Sequence, residues 1–149
     1  MRRLLPIMLI ALLTTACVER PVGAVVVDTP RVMWGAGESV SVAYENGDTT
    51  QLYNVGVVLR REAAEADEGV TLEVEVVSPS GVRFSSPVVI PAVEHHSGGS
   101  FVEISGEWVE SARLGEVGEY RFTLTPTKDL KGVWTVGVKI VSNLSNAMK

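Results

Sequence analysis

Residues 52–60 read Leu-Tyr-Asn-Val-Gly-Val-Val-Leu-Arg, and this stretch decides the predicted fold. Large apolar residues occupy every second position from Tyr53 to Leu59, and Asn54 and Gly56 lie between them. A period of two is typical of a β-strand that buries one face and exposes the other. We therefore expect the core of this protein to be built from strands.

Seven further segments are rich in β-forming residues and are bounded by Gly, Pro, Asn, Asp or Ser. The eight predicted strands are residues 24–28, 39–45, 52–60, 70–77, 82–90, 100–108, 119–125 and 133–141. Only residues 62–68 favour a helix, and that segment is too short for more than one or two turns. The pattern predicts an all-β, two-sheet antiparallel β-sandwich, either immunoglobulin-like or a jelly roll.

Four aromatic residues are assigned places in this sandwich. Tyr120 follows Gly118 at the start of the seventh strand, which resembles a tyrosine corner, where the hydroxyl bonds to nearby backbone. Trp134 lies in register with the alternating valines of the last strand and is predicted to be a core residue. Trp34 is expected to close one end of the sandwich, and Trp108, near a strand end, is the most open to exposure of the three tryptophans.

The first seventeen residues consist of a basic, an apolar and a small-residue part. Arg2 and Arg3 precede an apolar run over residues 4–13, and Ala16 precedes Cys17, the single cysteine of the chain. The apolar run is about half the roughly 20 residues that a membrane-spanning helix needs. This layout predicts a lipoprotein signal, cleavage before Cys17 and lipidation of that cysteine.

The predicted signal divides the chain into four parts. Residues 1–16 are the signal peptide, residues 17–23 the lipidated N-terminus and tether, residues 24–142 the β-sandwich domain and residues 143–149 a C-terminal tail. The full chain has 13 Lys and Arg against 18 Asp and Glu, so removal of Arg2 and Arg3 leaves 11 against 18 and a net charge of −7. Such an acidic chain is not expected to bind nucleic acid, whose phosphates attract basic residues.

No motif in the sequence indicates catalysis. The two histidines, His95 and His96, are adjacent, and neighbouring side chains on a strand point to opposite faces. A catalytic zinc needs three protein ligands, and no third ligand lies at a suitable spacing. No Gly-x-Ser-x-Gly elbow or phosphate-binding glycine loop is present. We expect no enzyme activity, no cofactor and no metal.

The acidic segment after the third predicted strand contains Glu62, Glu65, Asp67 and Glu68. One interpretation is a partner-binding loop, because an acidic surface attracts a basic partner. The other interpretation is a loop that is merely solvated. The residue pattern leaves both open.

Five short motifs follow one another along the domain: Met33-Trp34, Leu52-Tyr53-Asn54-Val55, Ser78-Pro79-Ser80-Gly81, Gly118-Glu119-Tyr120-Arg121-Phe122 and Gly132-Val133-Trp134-Thr135-Val136-Gly137-Val138. Their order and spacing, behind a lipoprotein signal, resemble the GldH family of gliding-motility lipoproteins of Bacteroidetes. The resemblance covers residues 25–141. Among functional positions, only Cys17 carries over from that family.

The resemblance implies a non-enzymatic cell-envelope lipoprotein that is held at the outer membrane by its N-terminal lipid. It further implies a structural or assembly subunit of a gliding-motility apparatus linked to type IX secretion, with envelope proteins of that machinery as partners. The alternative is a surface glycan-binding lipoprotein, in which exposed aromatic residues contact sugar rings. A pair of exposed tryptophans would favour this alternative.

Overall fold

The structure is a computed structural model, and it describes residues 23–29, 33–93 and 99–143. Its strands in these ranges are β1 (Gly23–Asp28), β2 (Met33–Trp34), β3 (Val40–Asn46), β4 (Leu52–Glu62), β5 (Val70–Val77), β6 (Arg83–Ile90), β7 (Phe101–Arg113), β8 (Gly118–Pro126), β9 (Leu130–Lys131) and β10 (Val133–Ser142). A single 3₁₀ turn, Ala63–Glu65, follows β4. No helix in the described ranges has the length and apolar character of a membrane span.

The strands form two four-stranded antiparallel sheets that pack face to face. The strand order is β1-β10-β4-β7 in the first sheet and β3-β8-β5-β6 in the second. The short strands β2 and β9 pair separately. The predicted all-β sandwich is therefore confirmed, and the eight predicted strands are all present.

The pairing of the eight long strands distinguishes the two predicted topologies. In chain order the first long strand pairs with the eighth, the second with the seventh, the third with the sixth and the fourth with the fifth. Such nesting arises when one long antiparallel hairpin wraps across two sheets, as in a jelly roll. An immunoglobulin-like sandwich instead places its first two strands side by side. The jelly roll is correct, and the immunoglobulin-like alternative is wrong.

The core lies between the two sheets and follows the alternation of the strands. Val55, Val57 and Leu59 of β4 all point inward and are buried. Trp34 is fully buried at one end of the core, as predicted, and its indole N–H donates a hydrogen bond to the carbonyl of Glu38 at 2.7 Å. One continuous core thus draws on strands from β2 to β10.

A tyrosine corner forms where the chain passes from the first sheet to the second. Tyr120 is buried, and its hydroxyl accepts a hydrogen bond from the backbone N–H of Glu116 at 3.0 Å. Gly118 has a φ of 129°, a conformation that side chains disfavour, and an added Cβ there would lie 3.1 Å from the ring of Pro79. The predicted corner is confirmed, although the topology around it is a jelly roll.

Trp134 does not lie in the core, so this prediction is wrong. Val133 pairs with Arg61 and Thr135 pairs with Arg60, which leaves Trp134 as an extra residue in a β-bulge. A bulge shifts the alternation by one position, so Val133 points inward and Trp134 points outward. The indole is 39% exposed on the outer face of the first sheet.

Candidate functional site

Four residues form an aromatic patch on the outer face of the first sheet. The rings of Phe101 and Trp134 meet edge to face, with centroids 4.9 Å apart and planes at 80°. The guanidinium carbon of Arg60 lies 5.1 Å from the centroid of the Phe101 ring. A carboxylate oxygen of Glu62 accepts a hydrogen bond from the indole N–H of Trp134 at 3.2 Å. The aromatic patch is therefore a connected group and not a set of isolated exposed rings.

Three neighbouring strands bring the aromatic patch together. Glu62 on β4 pairs with Phe101 on β7, and two positions earlier Arg60 pairs with Glu103, so these four side chains share the outer face. The bulge in β10 adds Trp134 to the same face. Because paired strands hold all of its members, the aromatic patch has a rigid scaffold.

A shallow depression of about 280 Å³ adjoins the aromatic patch. It is lined by Val26, Val58, Arg60, Glu103 and Thr135. Val26 is 48% exposed, which is high for an apolar side chain on a sheet. Gly137 pairs with both Val26 and Val58, and an added Cβ there would lie 2.5 Å from the carbonyl oxygen of Val25. The glycine at position 137 therefore allows β1 to approach β10 closely next to Val26.

The acidic segment surrounds a buried cation. Arg61 is only 5% exposed, and it donates hydrogen bonds to the carbonyls of Lys131 at 3.2 Å and Glu68 at 3.1 Å. Burial lowers the pKa of the Arg61 guanidinium, and the negative charges of Glu65, Asp67 and Glu68 oppose that shift. The acidic segment thus supplies both a carbonyl acceptor and nearby negative charge to a buried arginine, a role that the sequence pattern did not suggest.

The acidic segment is also fixed to the fold. Ala63 and Ala66 are buried, the N–H of Ala63 donates to the carbonyl of Ser100 at 2.9 Å, and the N–H of Val93 donates to the carbonyl of Ala66 at 2.9 Å. The segment packs on Gly132, which has a φ of 71° and no room for a Cβ beside Glu62 and Glu65. Through Glu62, the acidic segment and the aromatic patch form one continuous surface. Partner binding by the segment stays a prediction.

Trp108 is half-buried and lies between the sheets. Its indole N–H donates to the hydroxyl of Ser86 at 2.7 Å, and its ring lies near Phe84 and Phe122 at centroid distances of 5.7 and 6.2 Å. Among the described residues, the most exposed tryptophan is therefore Trp134 and not Trp108.

Other residues singled out in the sequence lie outside the described part of the chain. These are Cys17, His95 and His96. Within residues 23–29, 33–93 and 99–143, no three His, Cys, Asp or Glu side chains converge in a way that could hold a metal ion.

Sequence reasoning missed Arg60 and Phe101 as members of a site. Alternation placed Arg60 on the outward face of its strand, but nothing in the sequence paired that strand with the one that begins at Phe101. The register between β4 and β7 joins residues about forty positions apart. Only that register brings the two side chains together.

Comparison with known proteins does not assign a family. No protein-family model and no curated protein matches the chain. A Cry1Da tryptic core variant of Bacillus thuringiensis aligns with 81% of this chain and 21% of its own, at 11% identity and a TM-score of 0.41. A structure of infectious bursal disease virus, Gx strain, aligns with 80% of this chain and 32% of its own, at 10% identity and a TM-score of 0.34. This chain thus spans a third or less of either structure, and at these values neither informs its function.

Proposed function

We propose that the chain is a lipid-anchored, non-enzymatic protein of the cell envelope. It serves as a structural or assembly subunit of a gliding-motility apparatus linked to type IX secretion, and it binds a protein partner through the aromatic patch and the adjoining acidic segment. The lipoprotein signal that ends at Cys17 and the resemblance to the GldH family support the envelope setting. The exposed aromatic patch is the observation that carries the binding role.

The composition of the aromatic patch suits a protein partner. Tryptophan and arginine are enriched among the residues that dominate binding energy at protein interfaces. Trp134 and Arg60 lie within one connected patch, and Val26 extends its apolar surface. The acidic segment beside it would attract a basic partner surface and would raise the rate of association at low salt.

The direction of β1 supports a position of this surface away from the proposed lipid anchor. Gly23, the last residue of the predicted tether, pairs with Ile140 at one end of the first sheet, whereas Asp28 pairs with Thr135 at the other end, beside Trp134. At about 3.3 Å per residue, β1 spans about 15–20 Å. A chain anchored at Cys17 would thus hold the aromatic patch at the far end of the domain, where a partner can reach it.

Glycan binding is a second candidate function for the same surface. Exposed aromatic rings beside polar side chains can stack on sugar rings, and the pair of Trp134 and Phe101 has these properties. The pair contains one tryptophan and not the two that we named as favouring this alternative. Protein binding therefore remains the first proposal.

A capture experiment tests the proposal. Tagged, full-length lipoprotein is purified from the envelope of its own host as wild type, Trp134→Ala, Phe101→Ala and Phe84→Ala, where Phe84 is an exposed aromatic residue outside the patch. We expect the two patch variants to lose a partner that wild type and Phe84→Ala retain. Serine at positions 62, 65, 67 and 68 should weaken capture mainly at low salt, because salt screens exposed charges.

Two outcomes would contradict the proposal. Equal recovery of every partner by wild type and both patch variants would remove the aromatic patch as the binding surface. Binding to one glycan in a parallel screen, lost in Trp134→Ala and without any captured protein, would establish the second candidate function instead.

A further inference from the structure

A separate, apolar cavity lies between the two sheets on the side where β6 and β7 are their edge strands. It has a volume of about 360 Å³, and its walls include Val76, Val82, Phe84, Trp108, Ala112 and Leu114. A cavity of about 150 Å³ with similar walls holds benzene, and small-molecule sites begin at about 300 Å³. This cavity therefore has room for a ligand that is clearly larger than one ring.

The edge strands beside the cavity are poorly suited to pairing with an extended peptide. β6 contains Pro87, which lacks a backbone N–H. In β7, Ser111 has a φ of 53°, and the register with β4 shifts on both sides of Val55. Proline and bulges of this kind protect edges from strand addition. A peptide strand is therefore a poor occupant of this side of the sandwich. A ligand that makes no hydrogen bonds to the strand backbone fits the cavity better.

Among the described residues that line the cavity, two carry a charge, Arg113 and Glu116. Glu116 also lies at the rim, but its carboxylate already accepts hydrogen bonds from the backbone N–H of Ser80 at 3.1 Å and from its hydroxyl at 2.9 Å. Arg113 lines the cavity as well, and among the described residues no carboxylate lies at ion-pair distance from its guanidinium. An apolar cavity with an arginine at its rim fits an apolar chain that ends in an anionic group.

The cavity lies at the end of the sandwich where β1 begins. Ala112 pairs with Tyr53, and Tyr53 pairs with Ser142, close to the pair that Ile140 makes with Gly23. The predicted tether ends with Gly23, at this same end of the sandwich. In a lipoprotein this end of the domain faces the membrane, which supplies acyl chains.

We propose that this cavity binds the acyl chain of a single-chain anionic membrane lipid, such as a free fatty acid. The chain packs against Trp108, Phe84 and their apolar neighbours, and the carboxylate pairs with Arg113. The membrane as the source of the ligand rests on the proposed lipid anchor. The aromatic patch on the outer face takes no part in this binding.

Calorimetric titration with decanoate tests the proposal on the chain from residue 18 onward, kept free of detergent. Cooperative thermal unfolding first verifies that this protein is folded. We expect one decanoate site per chain. Ala112→Phe fills the cavity and Val82→Trp blocks its rim, and each should weaken binding by about tenfold or more. Phe101→Ala, in the aromatic patch, is the matched control and should bind as wild type does.

The head group is tested with a second ligand. Arg113→Gln should weaken decanoate by about tenfold, the usual size of a charge-assisted contact, and leave the binding of decanol unchanged. Equal effects on both ligands, or no effect, would overturn the role of Arg113. No binding by wild type, or wild-type affinity in folded Ala112→Phe or Val82→Trp, would overturn the cavity as the site.

The acyl-chain site and the proposed function can fail independently of each other. Binding of decanoate in solution requires neither Cys17 nor the aromatic patch. Loss of lipidation or of partner capture would therefore remove the envelope role and the membrane as ligand source. A decanoate titration without heat at two well-separated temperatures would remove only the acyl-chain site, because apolar burial changes the heat capacity and cannot be silent at both.

Discussion

The hydroxyl of Tyr120 accepts a hydrogen bond from the backbone N–H of Glu116 at 3.0 Å, which joins β8 to the turn that precedes it. Tyr120→Phe leaves this partly buried N–H without its partner, and we expect a loss of about 1–3 kcal/mol in the free energy of unfolding. Urea denaturation measures the loss. Glu116→Gln keeps the backbone N–H and should cost clearly less; equal costs would contradict a corner that acts through the tyrosine hydroxyl.

Trp34 and Trp134 should respond very differently to truncation. Trp34→Ala removes a fully buried ring and should cost about 3–5 kcal/mol. Trp134→Ala removes a partly exposed ring, one edge-to-face contact and a surface hydrogen bond to Glu62, so its cost should be clearly smaller, about 1–2 kcal/mol. Thermal unfolding of both variants makes the comparison. A cost for Trp134→Ala as large as that for Trp34→Ala would contradict the bulge that turns Trp134 outward.

Arg61 and its exposed neighbour Arg60 form a matched pair for substitution. Arg61→Met leaves the carbonyls of Glu68 and Lys131 without their donor and should cost about 1–3 kcal/mol. Arg60→Met changes a surface residue and should cost about 0.5 kcal/mol or less. Chemical denaturation of both variants tests this difference. Equal stability of the two would show that the buried guanidinium does not hold the acidic segment in place.

The pKa of the Glu116 carboxylate should lie below its ordinary value. Hydrogen bonds from Ser78 and Ser80 lower the pKa of this exposed group. A lowered pKa in the folded state means that the stabilisation is present above the pKa of the unfolded chain and is lost as the pH falls through the folded-state value. Combined Ser78→Ala and Ser80→Ala substitutions should raise the pKa of Glu116, as followed by NMR of the side-chain carboxyl. An unchanged titration would refute these hydrogen bonds as the cause.

Cys17 should carry the membrane anchor. Cells fed an alkyne fatty acid should label the wild-type protein and leave Cys17→Ser unlabelled, because the chain has no other cysteine. Each buried acyl methylene contributes about 0.8 kcal/mol, so several acyl chains suffice for stable anchoring. Equal labelling of both proteins would rule out this cysteine as the lipidated residue.

The strands could be predicted from sequence because burial of one face requires apolar and polar residues to alternate within each strand. Val74 of β5 and Phe122 of β8 alternate with polar neighbours, and both are buried as that alternation requires. Jelly-roll and immunoglobulin-like sandwiches have the same alternation and differ in which distant strands pair. The choice between them therefore required the observed register of pairs such as β1 with β10.

The sequence predictions failed where the strands depart from regular β geometry. Trp134 matched the inward phase of its strand, but one extra residue at the bulge reversed its direction. The short strands β2 and β9 have two residues each, too few to show a period. The aromatic patch joins β4, β7 and β10, and the cavity joins both sheets, so neither has a local signature in the sequence.

The nested pairing of β1 with β10 also determines how the domain would respond to a pulling force. A lipid anchor would pull on β1 from Gly23, and a partner on the aromatic patch would pull on β10 from its opposite end, near Trp134. The two strands would then slide past each other lengthwise, with the load across their hydrogen bonds. All six paired positions from Gly23 to Asp28 would resist together and could not separate one after another. Resistance to a lengthwise pull would be useful in a domain that links a membrane to a moving apparatus.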